Sequence, residues 1–226
     1  MMCEIDKKME RTKNRAIPAQ LVPISHALIY AAILLVLGSG ILAIFTNWLT
    51  LTIALLAVFI YVVPYGYFKR RSPLGTVVGS IAGAAPPVVG YCAISNKLDG
   101  EVLLLFLIMV FWQMPHFYSI AIYRLSDYKK AGIPVLPIRR GIKLTEQYIL
   151  LYIVAFTVVA MLLGLLGYLG VIYTLIAAGL GVYWLRKGLV ARDVTDPNRW
   201  ARKMFGTSLI VLLILTTSIT VGSLFN

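Results

Sequence analysis

The amino-acid sequence predicts an all-α polytopic membrane protein with seven transmembrane helices, and three observations carry that reading. Hydrophobic residues make up 60% of the 226, with a mean hydropathy of +0.86, whereas soluble domains keep an apolar share near about half. Seven apolar runs approach the ~20 residues that cross ~30 Å of hydrocarbon as a helix. Twenty of the twenty-one Lys and Arg residues fall in alternate connections between those runs, the asymmetry expected of cytoplasmic loops. Hydrocarbon offers no water to backbone N–H and C=O groups, so only helices or a closed barrel can span it. No alternating barrel pattern is visible in the sequence.

Taken in order, the predicted spans are 25–45, 49–67, 74–94, 101–122, 147–168, 170–185 and 205–225. A leader over 1–24 precedes the first span and carries Lys7, Lys8, Arg11, Lys13 and Arg15. The connection after the second span carries Lys69, Arg70 and Arg71. In the third, Gly75, Gly79 and Gly83 recur at four-residue spacing, which predicts close helix packing. Pro86 and Pro87 follow and bend the helix in a way that can open a central cavity. The fourth span places His116 in an apolar run, with Gln113 three residues earlier on the same helix face.

The connection 123–146 is the longest and holds Arg124, Lys129, Lys130, Arg139, Arg140 and Lys143; Gly132, Pro134, Pro137 and Gly141 predict ordered turns within it. A last basic loop separates the two final spans, from Arg186 and Lys187 to Arg202 and Lys203. Only Lys97 lies on the opposite side, so the basic face is read as cytoplasmic. Trp48, Tyr67, Tyr168, Trp184 and Trp200 fall near helix ends, where amphipathic rings anchor at the membrane interface. The two cysteines, Cys3 and Cys92, form neither a disulfide framework nor a CxxC metal motif. A net charge of +12 would suit a nucleic-acid binder if it were spread over a soluble surface. Its confinement to membrane-flanking loops argues for no nucleic acid and for lipid as the main surroundings.

Carboxylates share those loops with the cations. Clustered Asp, Arg and Lys can build a magnesium-diphosphate site, in which hard oxygen ligands hold a metal that keeps waters and bridges phosphate oxygens. The two half-sites of this kind are Asp6 with Arg11 and Arg15, and Asp127 with Arg124, Lys129 and Lys130. His116 has two readings, a contact to a polar or metal-bearing substrate inside the bundle or an interhelical hydrogen bond. A transporter would carry functional charges within the spans and perhaps internal repeats. The charges here sit in loops and no repeat is apparent.

Five motifs can now be joined: Lys8-Met-Glu-Arg-Thr-Lys-Asn-Arg15, Gly83-Ala-Ala-Pro-Pro87, Trp112-Gln-Met-Pro-His116, Tyr123-Arg-Leu-Ser-Asp-Tyr128 with Ala131-Gly-Ile-Pro-Val-Leu-Pro137, and Trp200-Ala-Arg-Lys-Met-Phe-Gly206. In order and loop placement they resemble the heme O synthase branch of the UbiA-type intramembrane prenyltransferases. The resemblance covers about residue 3 to the C-terminus as a single domain over 1–226. It implies a nine-helix bundle with two Asp-containing cytoplasmic segments that bind Mg2+ and a prenyl diphosphate. It also implies transfer of farnesyl from farnesyl diphosphate to a vinyl group of heme B, with water added, in a bacterial inner membrane. Handover of the product to a heme A synthase or a terminal oxidase would follow.

By position, the resemblance makes Asp6 and Asp127 metal ligands, with Arg124 beside the second. It gives Arg11, Arg15, Lys69, Arg70, Arg71 and Lys129 to the diphosphate, and His116 to heme. In the family two further helices and the start of the first Asp motif stand before the position of Met1. The motif's middle Asp position is Met2 in this chain, with Glu4 close by. The alternative expectation is an inactive relative that binds heme or prenyl lipid.

Overall fold

The computed structural model describes Lys7, Met9 and residues 12–190 and 196–223, and every structural statement below concerns those residues. They form helices and no strand. The first, α1 (Ile24–Phe45), is apolar all round, buries no side chain and has α2 as its main neighbour. At the turn, Asn47 caps α2 (Trp48–Ile60): its Oδ1 accepts from the Thr50 N–H at 2.9 Å, and its Nδ2 donates to the Cys92 carbonyl at 2.8 Å.

The second span is continuous but irregular. Pro64 cannot donate to the carbonyl one turn earlier, and the chain winds as a π segment over Tyr61–Tyr65 before resuming as α3 (Gly66–Arg71). The third predicted span is two helices, α4 (Gly75–Gly83) and α5 (Ala85–Ser95), which meet at Ala84. Pro86 and Pro87 remove the amides that carbonyls 82 and 83 would accept from in an unbroken helix, and the rod breaks there.

Asp99 caps α6 (Gly100–Tyr123), its Oδ1 accepting from the N–H groups of Glu101 and Val102 at 3.1 Å each. Its carboxyl lies below the usual carboxylate range because the Tyr91 hydroxyl donates to it at 2.6 Å, with the capping amides adding to the effect. The predicted order in 123–146 takes the form of two short helices, α7 (Leu125–Ala131) and α8 (Leu136–Arg140). Gly132 (φ 68°) and Gly141 (φ 86°) supply the left-handed turns that end them.

Three long helices complete the bundle: α9 (Ile142–Leu165), α10 (Gly170–Val190) and α11 (Pro197–Gly222). Six of the spans, all but α10, combine the length and the apolar composition needed to cross a membrane. α10 has 21 residues, but glycines, Tyr183, Trp184, Arg186 and Lys187 dilute its hydropathy. It is held against α9 and α11. α11 begins eight residues before the predicted start, because Asp196 accepts from the Asn198 N–H at 2.9 Å and Pro197 occupies the first turn.

α6 is the hub, packed by α9 and α11 on one side and by α4 and α5 on the other. On α9, Ile149, Ile153, Phe156, Ala160 and Leu163 form a fully buried stripe at helical spacing. Gly181 lets α10 approach it closely, since a Cβ there would lie 2.7 Å from the Thr157 Cβ. Trp184 and Trp200 correct the expectation of interfacial anchors, for both rings are in the core. Trp184 packs edge-on to Phe156 at 5.6 Å, and the Trp200 Nε1–H donates to the Gly188 carbonyl at 3.0 Å. Buried Trp keeps its place by filling volume and, for Trp200, by finding an acceptor. Trp48 and Tyr67 are exposed, as anchoring requires.

Candidate functional site

Between the second span, the broken third span and α6 lies a cavity of about 670 Å³ that reaches the α7–α8 loop. Local backbone irregularity builds it. The π segment turns Tyr61 and Tyr65 onto its wall, with the two rings stacked at 5.2 Å, and the next turn adds Lys69, whose Nζ lies 5.3 Å from the Tyr65 ring centroid. Opposite them run the small residues of α4. A Cβ on Gly79 would lie 2.8 Å from the Tyr65 ring, and one on Gly83 would collide with the Gln113 side-chain carbonyl. The glycine spacing therefore serves close packing, as expected, and the same stripe is cavity wall.

Gln113, Phe117 and Ala121, one helical turn apart on α6, form a third wall. The Gln113 amide nitrogen donates to the Ser80 carbonyl at 3.2 Å and to the Met109 carbonyl at 3.1 Å. This directs its oxygen toward Gly83 on the cavity wall. Tyr128, Ile133, Pro134 and Val135 close the loop end. The lining is apolar and aromatic with few polar groups, the general character of a small-molecule site.

The predicted site residues divide. Lys69 lines the cavity and is the one cation among its lining residues. Arg70 is exposed, with its Nε–H donating to the Gly66 carbonyl at 3.3 Å, and Arg71 lies over the Tyr67 ring at 4.2 Å; neither faces the cavity. Asp127 is 8% exposed in the first turn of α7, one residue before cavity-lining Tyr128. Arg124 stands beside it, Nη1 to Oδ2 at 3.9 Å, and the buried Arg124 Nε–H has no acceptor among the described residues. A buried guanidinium donor left open beside a carboxylate fits an anionic ligand such as a diphosphate oxygen. Arg202 adds a second guanidinium 5.9 Å from the Tyr123 ring, which Arg124 flanks at 5.4 Å. Sequence reasoning had not singled it out. Lys129 and Arg15 are exposed.

Asp6 and Arg11 lie outside the described residues. Their neighbour Met9 is 5% exposed and packs with Ala131 and Ile133, flanked by Tyr128 and Val135. Met9 is thus seated on the end of α7, the helix that carries Asp127, and on the loop after it. Among the described residues no three His, Cys, Asp or Glu side chains gather as a metal site. Asp127 is the carboxylate present, and magnesium asks for only one or two carboxylates when phosphate oxygens and waters complete its shell.

His116 and Gln113 part company. Gln113 faces the cavity, whereas His116 turns to α11, its Nδ1 2.8 Å from the Ser208 Oγ and its ring stacked on Trp112 at 4.8 Å. The Ser208 hydroxyl also lies 2.6 Å from the Phe205 carbonyl, which ties this hydrogen-bonded pair to the α11 backbone. Sequence reasoning missed Tyr61 and Tyr65, which a π segment aims inward, as well as Phe117 on α6 and Tyr128 on the short α7.

Comparison with known proteins agrees with this geometry. The chain is 46% identical over 216 residues to a protoheme IX farnesyltransferase of Protochlamydia amoebophila, covering 96% of this chain and 76% of that protein. It is 45% identical over 223 residues to one of Pectobacterium carotovorum, covering 98% and 75%. A solved structure of a digeranylgeranylglyceryl phosphate synthase superposes with a TM-score of 0.81 at 21% identity, covering 99% of this chain and 78% of that one, a likeness of fold. The broken-helix cavity, the Asp127–Arg124 pair just before its lining residue Tyr128 and a match of residues 3–210 to the UbiA prenyltransferase family model lead to one conclusion: this multi-pass membrane chain belongs to that family.

Proposed function

We propose that the chain transfers the farnesyl group of farnesyl diphosphate to a vinyl group of protoheme (heme B), with addition of water and release of diphosphate, yielding heme O. The observation that carries the reading is one arrangement: an apolar, tyrosine-walled cavity that Lys69 and Tyr128 line, with the buried Asp127 and its partner Arg124 directly before Tyr128 in the chain and Met9 of the leader packed beside the same loop. The names of the relatives supply the choice of prenyl donor and acceptor.

In this reading the isoprenoid chain lies along Tyr61, Tyr65 and Phe117, and the diphosphate sits where Lys69 and the open Arg124 Nε–H meet it. Asp127, with Asp6 of the leader, holds Mg2+. The metal, when bound, neutralises charge on the leaving diphosphate. Lys69 and Arg124 stabilise the same charge with donors already in place, so little reorganisation is needed as the bond breaks.

The farnesyl C–O bond breaks with its electron pair leaving on diphosphate, and the allylic cation faces the Tyr61 and Tyr65 rings, whose π faces favour positive charge. The terminal vinyl carbon supplies the pair for the new C–C bond. Water then bonds to the carbon next to the porphyrin and gives up a proton. The Gln113 side-chain oxygen, held by the two hydrogen bonds of its amide nitrogen, is a fixed acceptor on that wall. His116, on the α11 side of α6, is the candidate contact for heme. The site opens to the cytoplasmic side of a bacterial inner membrane, because the basic loops gather at that end. The product serves a heme A synthase or a heme-copper terminal oxidase.

Asp127→Asn tests the site. It keeps the shape of the side chain and removes the charge, and it is expected to abolish heme O formation in membranes supplied with heme B, farnesyl diphosphate and magnesium. A wild-type rate in that variant would remove Asp127 from the reaction.

A further inference from the structure

A second cavity, of about 780 Å³, lies between α10 and α11, on helices that do not line the first. Its rim is basic. Arg186 and Lys187 come from the last turns of α10 and Lys203 from the second turn of α11, and among the described residues no carboxylate lines it. Among the described residues none of the three cations makes an ion pair. Lys187 Nζ lies 5.6 Å from the Tyr183 ring centroid, and Asp196, on the same connection, caps α11.

Deeper along the helices the lining becomes apolar at Ile210, and the exposed Leu213 and Val182 continue it toward the middle of the span. Gly206 lines the groove and faces open space, since a Cβ there would meet nothing within 4 Å. The residue lies in the Trp200-to-Gly206 motif that the first cavity does not use. Three converging cations at the membrane surface above an apolar channel match one class of molecule: an anionic head on an acyl chain.

We propose that this groove binds the phosphate of an anionic phospholipid, with Arg186, Lys187 and Lys203 on the headgroup and Ile210 and Leu213 along the chain. A cation close to an anionic headgroup changes occupancy by roughly fivefold. The test is native mass spectrometry of the purified full chain equilibrated with phosphatidylglycerol or phosphatidylcholine, with and without inorganic phosphate.

Wild-type protein is expected to retain phosphatidylglycerol in preference to phosphatidylcholine and to keep it when inorganic phosphate is added. Arg186→Gln/Lys187→Gln/Lys203→Gln is expected to lose that preference. Gly206→Leu, which fills the groove and leaves every charge in place, is expected to lose retention of the bound lipid as well. It serves as the deciding variant if the triple variant does not fold. Undiminished phosphatidylglycerol retention in Gly206→Leu would overturn the proposal. So would displacement of the lipid by inorganic phosphate, which would make the ligand a free anion.

Discussion

Lys69, Arg70 and Arg71 are consecutive and equal in charge, yet the structure gives them different surroundings, and their substitution by Gln separates a cavity role from a topological one. Lys69 lines the cavity beside Tyr65, Arg70 donates to the Gly66 carbonyl, and Arg71 covers Tyr67. A hydrogen bond to a charged group is worth about 1.5–3 kcal/mol. At ~1.4 kcal/mol per tenfold, Lys69→Gln should lower kcat/KM for farnesyl diphosphate by roughly 10- to 100-fold. Gln retains the first methylenes of the stem, so packing against Tyr65 is little changed. Arg70→Gln and Arg71→Gln lose an exposed charge with its contact to Gly66 or Tyr67, away from the cavity, and should stay within about twofold of wild type. The assay is the initial rate of prenylated heme formation in reconstituted vesicles at varied farnesyl diphosphate. Equal losses across the three variants, or a Lys69→Gln rate within twofold of wild type, would refute the assignment of the cavity's loop end to diphosphate.

Three further outcomes follow from packing and capping. Gly79→Leu drives a side chain into the Tyr65 ring and the cavity, and should remove prenyl transfer while the protein still elutes as a folded species on size-exclusion chromatography. Gly181→Val overpacks the α9–α10 contact against Thr157 and should cost about 1–3 kcal/mol in thermal unfolding, with KM for farnesyl diphosphate unchanged because the site lies elsewhere. The folded pKa of Asp99 is depressed, so its stabilisation of the α6 cap is present above the ordinary carboxylate pKa and is lost as pH falls through the folded value. Acid melting curves should show that loss in wild type and not in Asp99→Asn, which caps without titrating.

Hydropathy was enough to read the helices, because bilayer thickness acts on composition directly. The order in 123–146 was readable from Gly132 and Gly141, whose positive φ angles end the short helices there. Pro86 and Pro87 marked the deformation of the third span, which breaks at Ala84 beside the cavity. What the sequence did not show is the π segment at Pro64, which aims Tyr61 and Tyr65 into the cavity that the α4 glycines line.

Helix-end aromatics were misread for a related reason. Trp184 and Trp200 lie near span ends in sequence, yet α11 starts eight residues earlier than its apolar run and carries Trp200 into the core. Gln113 and His116 show the limit of spacing arguments, since a three-residue step on α6 was enough to send one to the cavity and the other to Ser208.

The central claim is that this chain joins farnesyl to heme, and the mass of its heme product tests that most directly. Purified chain in vesicles, given heme B, farnesyl diphosphate and magnesium, is predicted to yield a heme heavier by one farnesyl group and one hydroxyl, with diphosphate released in equal amount. Heme B recovered unchanged, with the same preparation binding farnesyl diphosphate, would contradict the account and leave a family member that holds prenyl diphosphate without transferring it to heme.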